Sequence, residues 1–338
     1  LGIPTMGRVE RFPKIFEYLM KLSIERPITL FIDEFQEFFK VNKSVYSDMQ
    51  RIWDMYHTKA HINLIVCGSI FSMMTKIFKD KKEPLYNRQT RFMSIKPFTP
   101  AVLKEIMAEY NPNYTSEDLL ALYSFTGGVA KYVQLLVDAG ATTKTKMLNH
   151  IIKADSVFLG EGKAILIEEF GKDYGVYFSI LSAIARGKTL RSEIEQIVGR
   201  EIGGYLTKLE KEYEVITKNQ PIFEKSSTKN VRYTIEDNFF TFWFRFIYKY
   251  NYMLEIENYD AVKTIINRDY ETFSGKMLER YFKRVLMESK AYTRIGSWWD
   301  RKGENEIDIV AENELNNEAV FIEVKRKEDN FDAIALNE

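Results

Sequence analysis

Two adjacent carboxylates, Asp33 and Glu34, follow the apolar run of residues 28–32. Parallel α/β sheets bind their ligands beyond the carboxyl ends of the strands, so this acidic pair is where a ligand would lie. Such a pair suits magnesium-dependent hydrolysis of ATP or GTP, in which one carboxylate binds Mg²⁺ and the other orients or deprotonates the attacking water. We therefore assign the metal to Asp33 and the water to Glu34. The alternative is a buried strand that ends in a solvated acidic pair.

A second apolar run, residues 62–67, is followed by Ser69 at the same edge of the predicted sheet. The Ser69 hydroxyl is a candidate hydrogen-bond partner for the attacking water or the γ-phosphate. The sequence has no G-x-x-x-x-G-K-[ST] loop, whose backbone amides and lysine would hold the phosphates. Because the chain begins at Leu1, we expect that loop to be encoded upstream. Without it, the chain should bind ATP feebly or not at all.

A second group of candidate residues lies near the end of the chain. Asp308 belongs to one predicted strand, 307–311, and Glu323 and Lys325 to another, 319–325. Strand periodicity puts Glu323 and Lys325 on one face, and hairpin pairing would bring Asp308 close to Glu323. Two carboxylates and a lysine can bind Mg²⁺ and stabilise charge at an attacked phosphodiester, which is the arrangement of PD-(D/E)XK nucleases. The alternative is an exposed hairpin with alternating charge.

A third carboxylate is available to that site from a neighbouring helix. Glu279 shares one face of a predicted amphipathic helix, about 273–288, with Phe282 and Leu286, so it can point inward. We therefore include Glu279 among the candidate nuclease residues.

The elements that position these residues follow from hydrophobic periodicity. Apolar spacing predicts a helix over residues 8–23 and three strands: the one that ends at Asp33, residues 62–67 and residues 92–95. Near-continuous apolar strands that alternate with helices indicate a parallel sheet covered on both faces. Residues 100–170 contain no convincing strand, which predicts a helical subdomain.

Residues 176–235 have a different pattern, with three short helices near 176–186, 190–198 and 201–213 and two strands, 214–217 and 232–235. This order is typical of a winged helix-turn-helix. Residues 186–235 hold ten lysines and arginines against seven acidic residues. The basic residues on the presumed recognition helix and wing are candidates for DNA phosphates: Lys208, Lys211, Lys218, Lys225, Lys229 and Arg232. A platform for packing against protein is an equal alternative.

Residues 239–250 contain eight aromatic side chains in twelve positions. A segment that is apolar on nearly every face predicts a buried helix between domains. A stacking platform for nucleic-acid bases is the less favoured alternative.

Composition limits the classes of protein to which this chain can belong. The 338 residues carry 48 basic and 48 acidic side chains, so no overall field steers the chain to DNA or an anionic membrane. One cysteine and three histidines, without zinc spacing, exclude a disulfide framework and argue against a zinc site. No apolar stretch is long enough to span a bilayer. We expect a cytoplasmic protein with no membrane partner, and we leave open whether it is a homo-oligomer.

Several motifs together resemble the archaeal-type ATPase family, which are AAA+/STAND-like P-loop proteins. In order they are LFIDEFQ (30–36), CGS (67–69), PLYNR (84–88), KPF (96–98), TGGVAKY (126–132), YTIEDNFF (233–240) and FWFRF (242–246). The resemblance implies that Asp33 and Glu34 are the Walker B pair and Ser69 a sensor-like residue, and that Arg88 contacts phosphates. Two modest departures are Asn87 and Ala130, where the family usually has glycine and proline.

The same resemblance extends to the end of the chain. The family often carries a C-terminal PD-(D/E)XK nuclease-like domain. The segments IGSWWD (295–300) and EIDIV (306–310) resemble the pattern of that domain. An intact triad would not by itself prove cleavage, because such domains can lose activity through changes in shape.

The sequence therefore predicts an α/β protein in four parts. These are a partial P-loop AAA+-like core (1–99) with a Walker B pair and no Walker A loop, a helical lid (100–170), a winged helix-turn-helix (171–238), and an aromatic linker helix with a nuclease-like domain (239–338). The predicted function is an ATPase, with ATP and Mg²⁺ as cofactors, that couples nucleotide state to binding or processing of DNA. One alternative is a Mg²⁺-dependent nuclease with a regulatory ATPase. The other is a non-catalytic interaction or signalling switch.

Overall fold

The computed structural model describes residues 11–225 and 228–327. The chain divides into two compact units, one up to Ser94 and one from Ile95 onward. The predicted division into four domains is finer than this and stays a prediction. Among the described residues, no helix is both long and apolar enough to cross a bilayer.

The first unit alternates helices with two strands. The order is helix α1 (Phe12–Leu22), strand β1 (Ile28–Ile32), a 3₁₀ turn (Phe35–Glu37), helices α2 (Phe38–Val41) and α3 (Ser44–Tyr56), strand β2 (Ile62–Val66) and helix α4 (Phe71–Lys79). Residues one helical turn apart, such as Phe16 and Met20 of α1, are fully buried. These helices and the inward residues of the strands form one core.

Strands β1 and β2 are parallel, with Ile32 opposite Val66. Both strands therefore end at the same edge of the sheet. The described residues cover only one face of the pair, since Phe31 and Ile65 on the other face are 58% and 43% exposed. Cover on both faces therefore stays a prediction.

The third predicted strand is wrong. Residues 92–95 pair with no strand of the described chain, and Met93 and Ile95 are 65% and 86% exposed. The short apolar run is typical of a strand, but a strand needs a neighbour to satisfy its backbone groups.

The second unit begins with five helices and no strand over residues 100–170. They are α5 (Pro100–Tyr110), α6 (Ser116–Thr126), α7 (Ala130–Asp138), α8 (Lys144–Ile151) and α9 (Val157–Phe170). Helix α6 starts with a capping box in which the Thr115 and Asp118 side chains each bond the other's backbone amide. It ends at Gly127 and Gly128, which have φ values of +61° and +79°. A Cβ atom on Gly128 would lie 2.5 Å from the Phe98 carbonyl oxygen, so glycine is required there.

Three further helices and a hairpin follow. They are α10 (Tyr174–Ala185), α11 (Arg191–Val198) and α12 (Gly203–Lys211), then strands β3 (Ile216–Asn219) and β4 (Arg232–Ile235), which pair antiparallel. Strand β3 begins two residues later than predicted. The order of elements is the one that the sequence predicts, and the winged-helix interpretation stays a prediction.

The aromatic segment is buried, as expected. Helix α13 (Asn238–Phe242) continues into a π-helical turn (Trp243–Tyr248), and helix α14 (Asn251–Glu255) follows. Phe239, Phe242 and Phe244 are fully buried. The segment is therefore core, and these rings are inaccessible to nucleic-acid bases.

The last described region combines one long helix with a three-stranded antiparallel sheet. Helix α15 (Tyr259–Ser289) has 31 residues, so the predicted bounds of 273–288 include only its second half. The sheet has the order β5 (Arg294–Trp299), β6 (Glu306–Asn313), β7 (Glu318–Ile322). The sequence predicts β6 and β7 but misses β5, whose pairing with β6 shifts register between Gly296 and Trp298. The predicted strand 319–325 ends at Ile322, so Glu323 and Lys325 lie after it.

Candidate functional site

Asp33 occupies the turn that follows β1. Its Oδ1 accepts hydrogen bonds from the Glu34 amide at 2.9 Å and from the Cys67 thiol at 2.7 Å. Since Cys67 follows β2, the two strand ends are joined at this carboxylate. The donors lower the pKa of Asp33, the thiol having the larger effect. Asp33 is exposed and ionised, which suits a ligand for a hard cation.

Glu34 lies in the left-handed region, with φ 47° and ψ 46°. This conformation costs a non-glycine residue about 1 kcal/mol and turns the chain sharply after the strand. The Glu34 carboxylate accepts hydrogen bonds from the Gln36 amide and from the Ser69 hydroxyl, the latter at 2.8 Å. These two donors lower the pKa of Glu34. The structure thus brings together three of the predicted residues, Asp33, Glu34 and Ser69.

Gln36 is a residue that the sequence analysis missed. It is 1% exposed, and its amide nitrogen contacts both Glu34 and the Ser69 hydroxyl. Gly68 makes room for it, because a Cβ atom on Gly68 would lie 2.1 Å from the Gln36 side-chain oxygen. Its sequence signal was its place at the end of the motif LFIDEFQ (30–36), in which it was given no role.

Arg88 is engaged elsewhere. Its guanidinium group forms a double contact with the Asp54 carboxylate, at 2.9 and 2.8 Å, and donates to the carbonyl oxygens of Pro84 and Tyr86 at 3.0 Å. The bond to Asp54 raises the pKa of Arg88. An arginine held by these partners anchors the turn at residues 84–88, and its assignment to the phosphates stays a prediction.

The second candidate site lies between β6, β7 and α15. Ile309 pairs with Ile322, so antiparallel register places Asp308 opposite Glu323, as the hairpin prediction requires. The Val324 amide donates to Asp308 Oδ2 at 2.9 Å. Lys325 forms an ion pair with Glu323. The structure therefore brings Asp308, Glu323 and Lys325 to one end of the sheet.

Glu279 faces the same cluster from α15. The Lys276 ammonium group lies 3.0 Å from its carboxylate. Burial raises the pKa of Glu279, and the Asp308 charge adds to that effect against Lys276. The pKa of Asp308 is raised as well, first by burial and then by Glu323. The interaction with Glu323 raises the pKa of Lys325.

Neither site is a crowded cluster of metal ligands. Across residues 11–225 and 228–327, no three histidine, cysteine, aspartate or glutamate side chains are arranged to hold a metal ion. Mg²⁺ is usually bound through one or two carboxylates and several waters, so Asp33 alone, or Asp308 with Glu323, is a chemically sufficient set.

Arg326, directly after Lys325, was also missed. Its side chain is 18% exposed, contacts Ser274 of α15, and forms an ion pair with Glu117 of α6. The end of β7 is thereby attached to the helices of residues 100–170. A single arginine after Glu-Val-Lys gives no sequence signal for such a distant partner.

The predicted DNA-contacting residues divide into two groups. The five lysines are exposed, on α12 (Lys208, Lys211), β3 (Lys218) and the following loop (Lys225, Lys229). Arg232 instead pairs with Glu306 of β6 at 2.8 Å and lies over the Trp299 ring. The structure therefore separates Arg232 from the exposed lysines.

The loop between β3 and β4 packs against β5. The Ile222 amide donates to the Ser297 carbonyl at 2.9 Å, and the Trp299 indole donates to Asn230 at 2.9 Å. The hairpin thus makes contacts within the protein, as the packing-platform alternative supposes.

Two family profiles match separate parts of the chain. Residues 8–136 match the family described as "ATPase domain predominantly from Archaea", and residues 243–335 match "Archaea bacterial proteins of unknown function". The first range includes Asp33, Glu34 and Ser69. The second includes Glu279, Asp308 and Glu323.

Two curated proteins of Methanocaldococcus jannaschii are similar to the chain. The uncharacterized protein MJECL04 is 33% identical over 314 residues, which cover 88% of this chain and 67% of that protein. The uncharacterized protein MJ0424 is 34% identical over 55 residues, which cover 16% of this chain and 53% of that protein.

Among solved structures, the Walker-type ATPase PABY2304 of Pyrococcus abyssi has a similar fold. The TM-score is 0.52 at 18% sequence identity, over 72% of each chain. At this identity the likeness shows the fold alone. It agrees with a mixed α/β protein that has a small parallel sheet and many helices.

Proposed function

We propose that this chain couples ATP hydrolysis to the binding or processing of DNA. The premise is that the chain belongs to the family of MJECL04 and contains an archaeal-type ATPase domain. The observation that carries the ATPase half is the hydrogen-bonded group of Asp33, Glu34 and Ser69 where two parallel strands end. That edge is where ATP-hydrolysing folds place phosphate chemistry.

In this proposal each side chain has one role. Asp33 holds Mg²⁺, which when bound neutralises charge on the phosphates. Glu34 orients the attacking water or takes its proton, and Ser69 and Gln36 hold the Glu34 carboxylate in place. The backbone amides and lysine that hold the phosphates are assigned to residues outside these 338, because the sequence contains no Walker A loop.

The ATPase half is tested by measuring ATP hydrolysis. The protein used is a polypeptide that joins this chain to a phosphate loop. Glu34→Gln should lower turnover by about 10²–10⁴-fold, the usual contribution of a general base, while ATP binding persists. Glu37→Gln is the matched control, since Glu37 is three residues away and pairs with Lys40. Equal loss in both variants, or no loss in Glu34→Gln, would exclude the assigned role.

The opposed carboxylates of Asp308 on β6 and Glu323, directly after β7, support a second function, Mg²⁺-dependent cleavage of a phosphodiester. Asp308 and Glu323 would hold Mg²⁺, with Lys325 to stabilise charge and Glu279 as a further carboxylate. Native protein, Asp308→Ala and the exposed control Glu318→Ala should be compared on labelled DNA with Mg²⁺. Cleavage by native protein and the control but not by Asp308→Ala supports the nuclease, and identical cleavage by all three excludes it.

The remaining alternative is a non-catalytic switch, which the packing of the β3–β4 loop against β5 favours. For this alternative, the polypeptide with a phosphate loop would show neither ATP hydrolysis nor salt-sensitive DNA binding. Either activity would exclude it.

A further inference from the structure

A cavity of about 980 Å³ lies in the second unit, between the β3–β4 hairpin, helix α15, and strands β5 and β6. This volume is at the upper end of the range for ligand-binding clefts, roughly 300–1,000 Å³. The docked loop between β3 and β4 bounds it on one side, through the Ile222–Ser297 and Asn230–Trp299 hydrogen bonds. The cavity is therefore a cleft inside one compact unit.

The lining of this cavity has an excess of positive charge. Eight of its described residues are lysine or arginine, and five are aspartate or glutamate. The chain as a whole has no net charge, so the excess is local. Clefts lined by one sign of charge concentrate ligands of the opposite sign.

The basic residues on α15 form a row along one face. Lys276, Arg280, Lys283 and Arg284 all line the cavity. The first three are four and three residues apart, which puts them on successive turns, and Arg284 follows Lys283 directly. The row spans nine residues, or roughly 12 Å along the helix.

Two cations in this row form no direct ion pair with a described carboxylate, although the Glu236 charge acts on both. Arg280 donates to the neutral side-chain oxygen of Asn238 at 3.0 Å. Lys283 makes no hydrogen bond or ion pair with any described residue. Burial lowers the pKa of both groups. An anion bound between them would offset the cost of burying two like charges side by side.

Two of the three candidate nuclease carboxylates face the same cavity. Glu279 and Asp308 are among its lining residues. Glu279 precedes Lys283 by four residues, so the two side chains are neighbours on the helix surface, with Cβ atoms about 5–6 Å apart. An anion held at Lys283 therefore lies one helical turn from the Glu279 carboxylate.

We propose that this cavity binds single-stranded DNA, with Arg280 and Lys283 holding one phosphate and the next phosphodiester beside Glu279 and Asp308. The inference rests on the DNA half of the proposed function and names the site and the form of DNA. A volume of about 980 Å³ is too small to enclose a segment of double helix, whereas it can hold a short segment of one strand. A row of cations that extends over two helical turns suits a chain of phosphates better than a single one.

The test is binding of a short fluorescently labelled oligothymidylate, measured by anisotropy over a range of salt concentrations without divalent cations. Lys283→Met keeps the length and apolar stem of the side chain and removes its charge. It should weaken binding by about 5–20-fold and reduce the salt slope by roughly one. Lys283→Arg should bind like the native protein, and thermal unfolding of each variant checks that it is folded.

The matched control is Lys104→Met, because Lys104 is an exposed lysine of α5 that does not line the cavity. Loss of affinity in Lys283→Met but not in Lys104→Met supports the cavity. Native affinity in Lys283→Met, or equal competition by duplex of the same length, overturns the inference and leaves the DNA half of the proposed function standing. No binding of either DNA by the native protein overturns both.

Discussion

Two carboxylate sites lie where strands end in this protein, and their electrostatic environments are opposite. Asp33 and Glu34 are exposed and surrounded by neutral donors, which lower the pKa of both groups. Asp308 and Glu279 are partly buried near like charges, which raises the pKa of both. The first site is ionised without a ligand, whereas the second is destabilised by its own negative charge.

This difference matters because both sites are assigned to phosphate chemistry with Mg²⁺. A site held by neutral donors stabilises the fold and is prepared for a cation. A site of partly buried like charges lowers stability unless a cation or proton relieves it, which is the usual cost of a functional site. Changes at the two sites should therefore shift stability in opposite directions.

The largest expected effect comes from Gly68, which leaves space for Gln36 beneath the first site. In Gly68→Ala the new Cβ atom would overlap the Gln36 side chain and approach the Met74 sulfur to 2.7 Å. We expect a loss of about 1–3 kcal/mol in the free energy of unfolding of the first unit, because the packed side chains must move. Urea unfolding curves of the native protein and the variant, followed by circular dichroism, measure that loss.

A glycine in open space is the control for this prediction. A Cβ atom added to Gly160 of α9 would have no neighbour within 4 Å, so Gly160→Ala should stabilise by about 0.5–1 kcal/mol through helix propensity. If Gly68→Ala were as stable as the native protein, the Gln36 side chain would not be fixed by close packing.

The second prediction concerns two substitutions, each of which neutralises one carboxylate at one of the sites. Asp308→Asn should raise the free energy of unfolding by about 0.5–1 kcal/mol, since it removes a repelled charge and still accepts the Val324 hydrogen bond. Glu34→Gln should lower it by less than about 0.5 kcal/mol, because the charge it removes is exposed and solvent-screened. Urea unfolding measures both, and a change of the same sign would contradict the comparison.

The third prediction concerns the pH dependence of those two differences. Because the pKa of Asp308 is raised, its ionisation costs stability as pH rises through that pKa. The higher free energy of unfolding of Asp308→Asn, relative to the native protein, should therefore disappear in acid. The lowered pKa of Glu34 means that its contribution is present above the ordinary value of 4.5 and lost as pH falls through the lowered pKa. The deficit in Glu34→Gln should therefore disappear in acid too. Unfolding curves between neutral and acidic pH would show two differences of opposite sign that both approach zero.

The first site was predictable because its signal is local. An apolar run that ends in Asp33 and Glu34 fixes the position of both carboxylates at a strand end, and the parallel pairing adds Ser69. Likewise, the register that brings Asp308 to Glu323 follows from two strands close in sequence.

What the sequence could not predict depends on distant partners. Glu117 binds Arg326 across 209 positions, and the cavity beside Lys283 requires the hairpin to dock on β5. The first half of α15 was missed because its polar stretch around residues 267–271 hides the periodicity of a helix that is stabilised by packing.

The smallest expected effect is at Cys67, whose thiol donates to Asp33. This hydrogen bond is the main reason that the pKa of Cys67 is raised, with burial second. Because the thiolate is the reactive form, Asp33→Asn should speed alkylation of Cys67 by iodoacetamide at pH 8 by roughly two- to fivefold. Mg²⁺ bound by Asp33 should produce a similar increase in the native chain and none in the variant. An alkylation rate that responds to neither change would mean that Asp33 neither holds the thiol proton nor binds the ion.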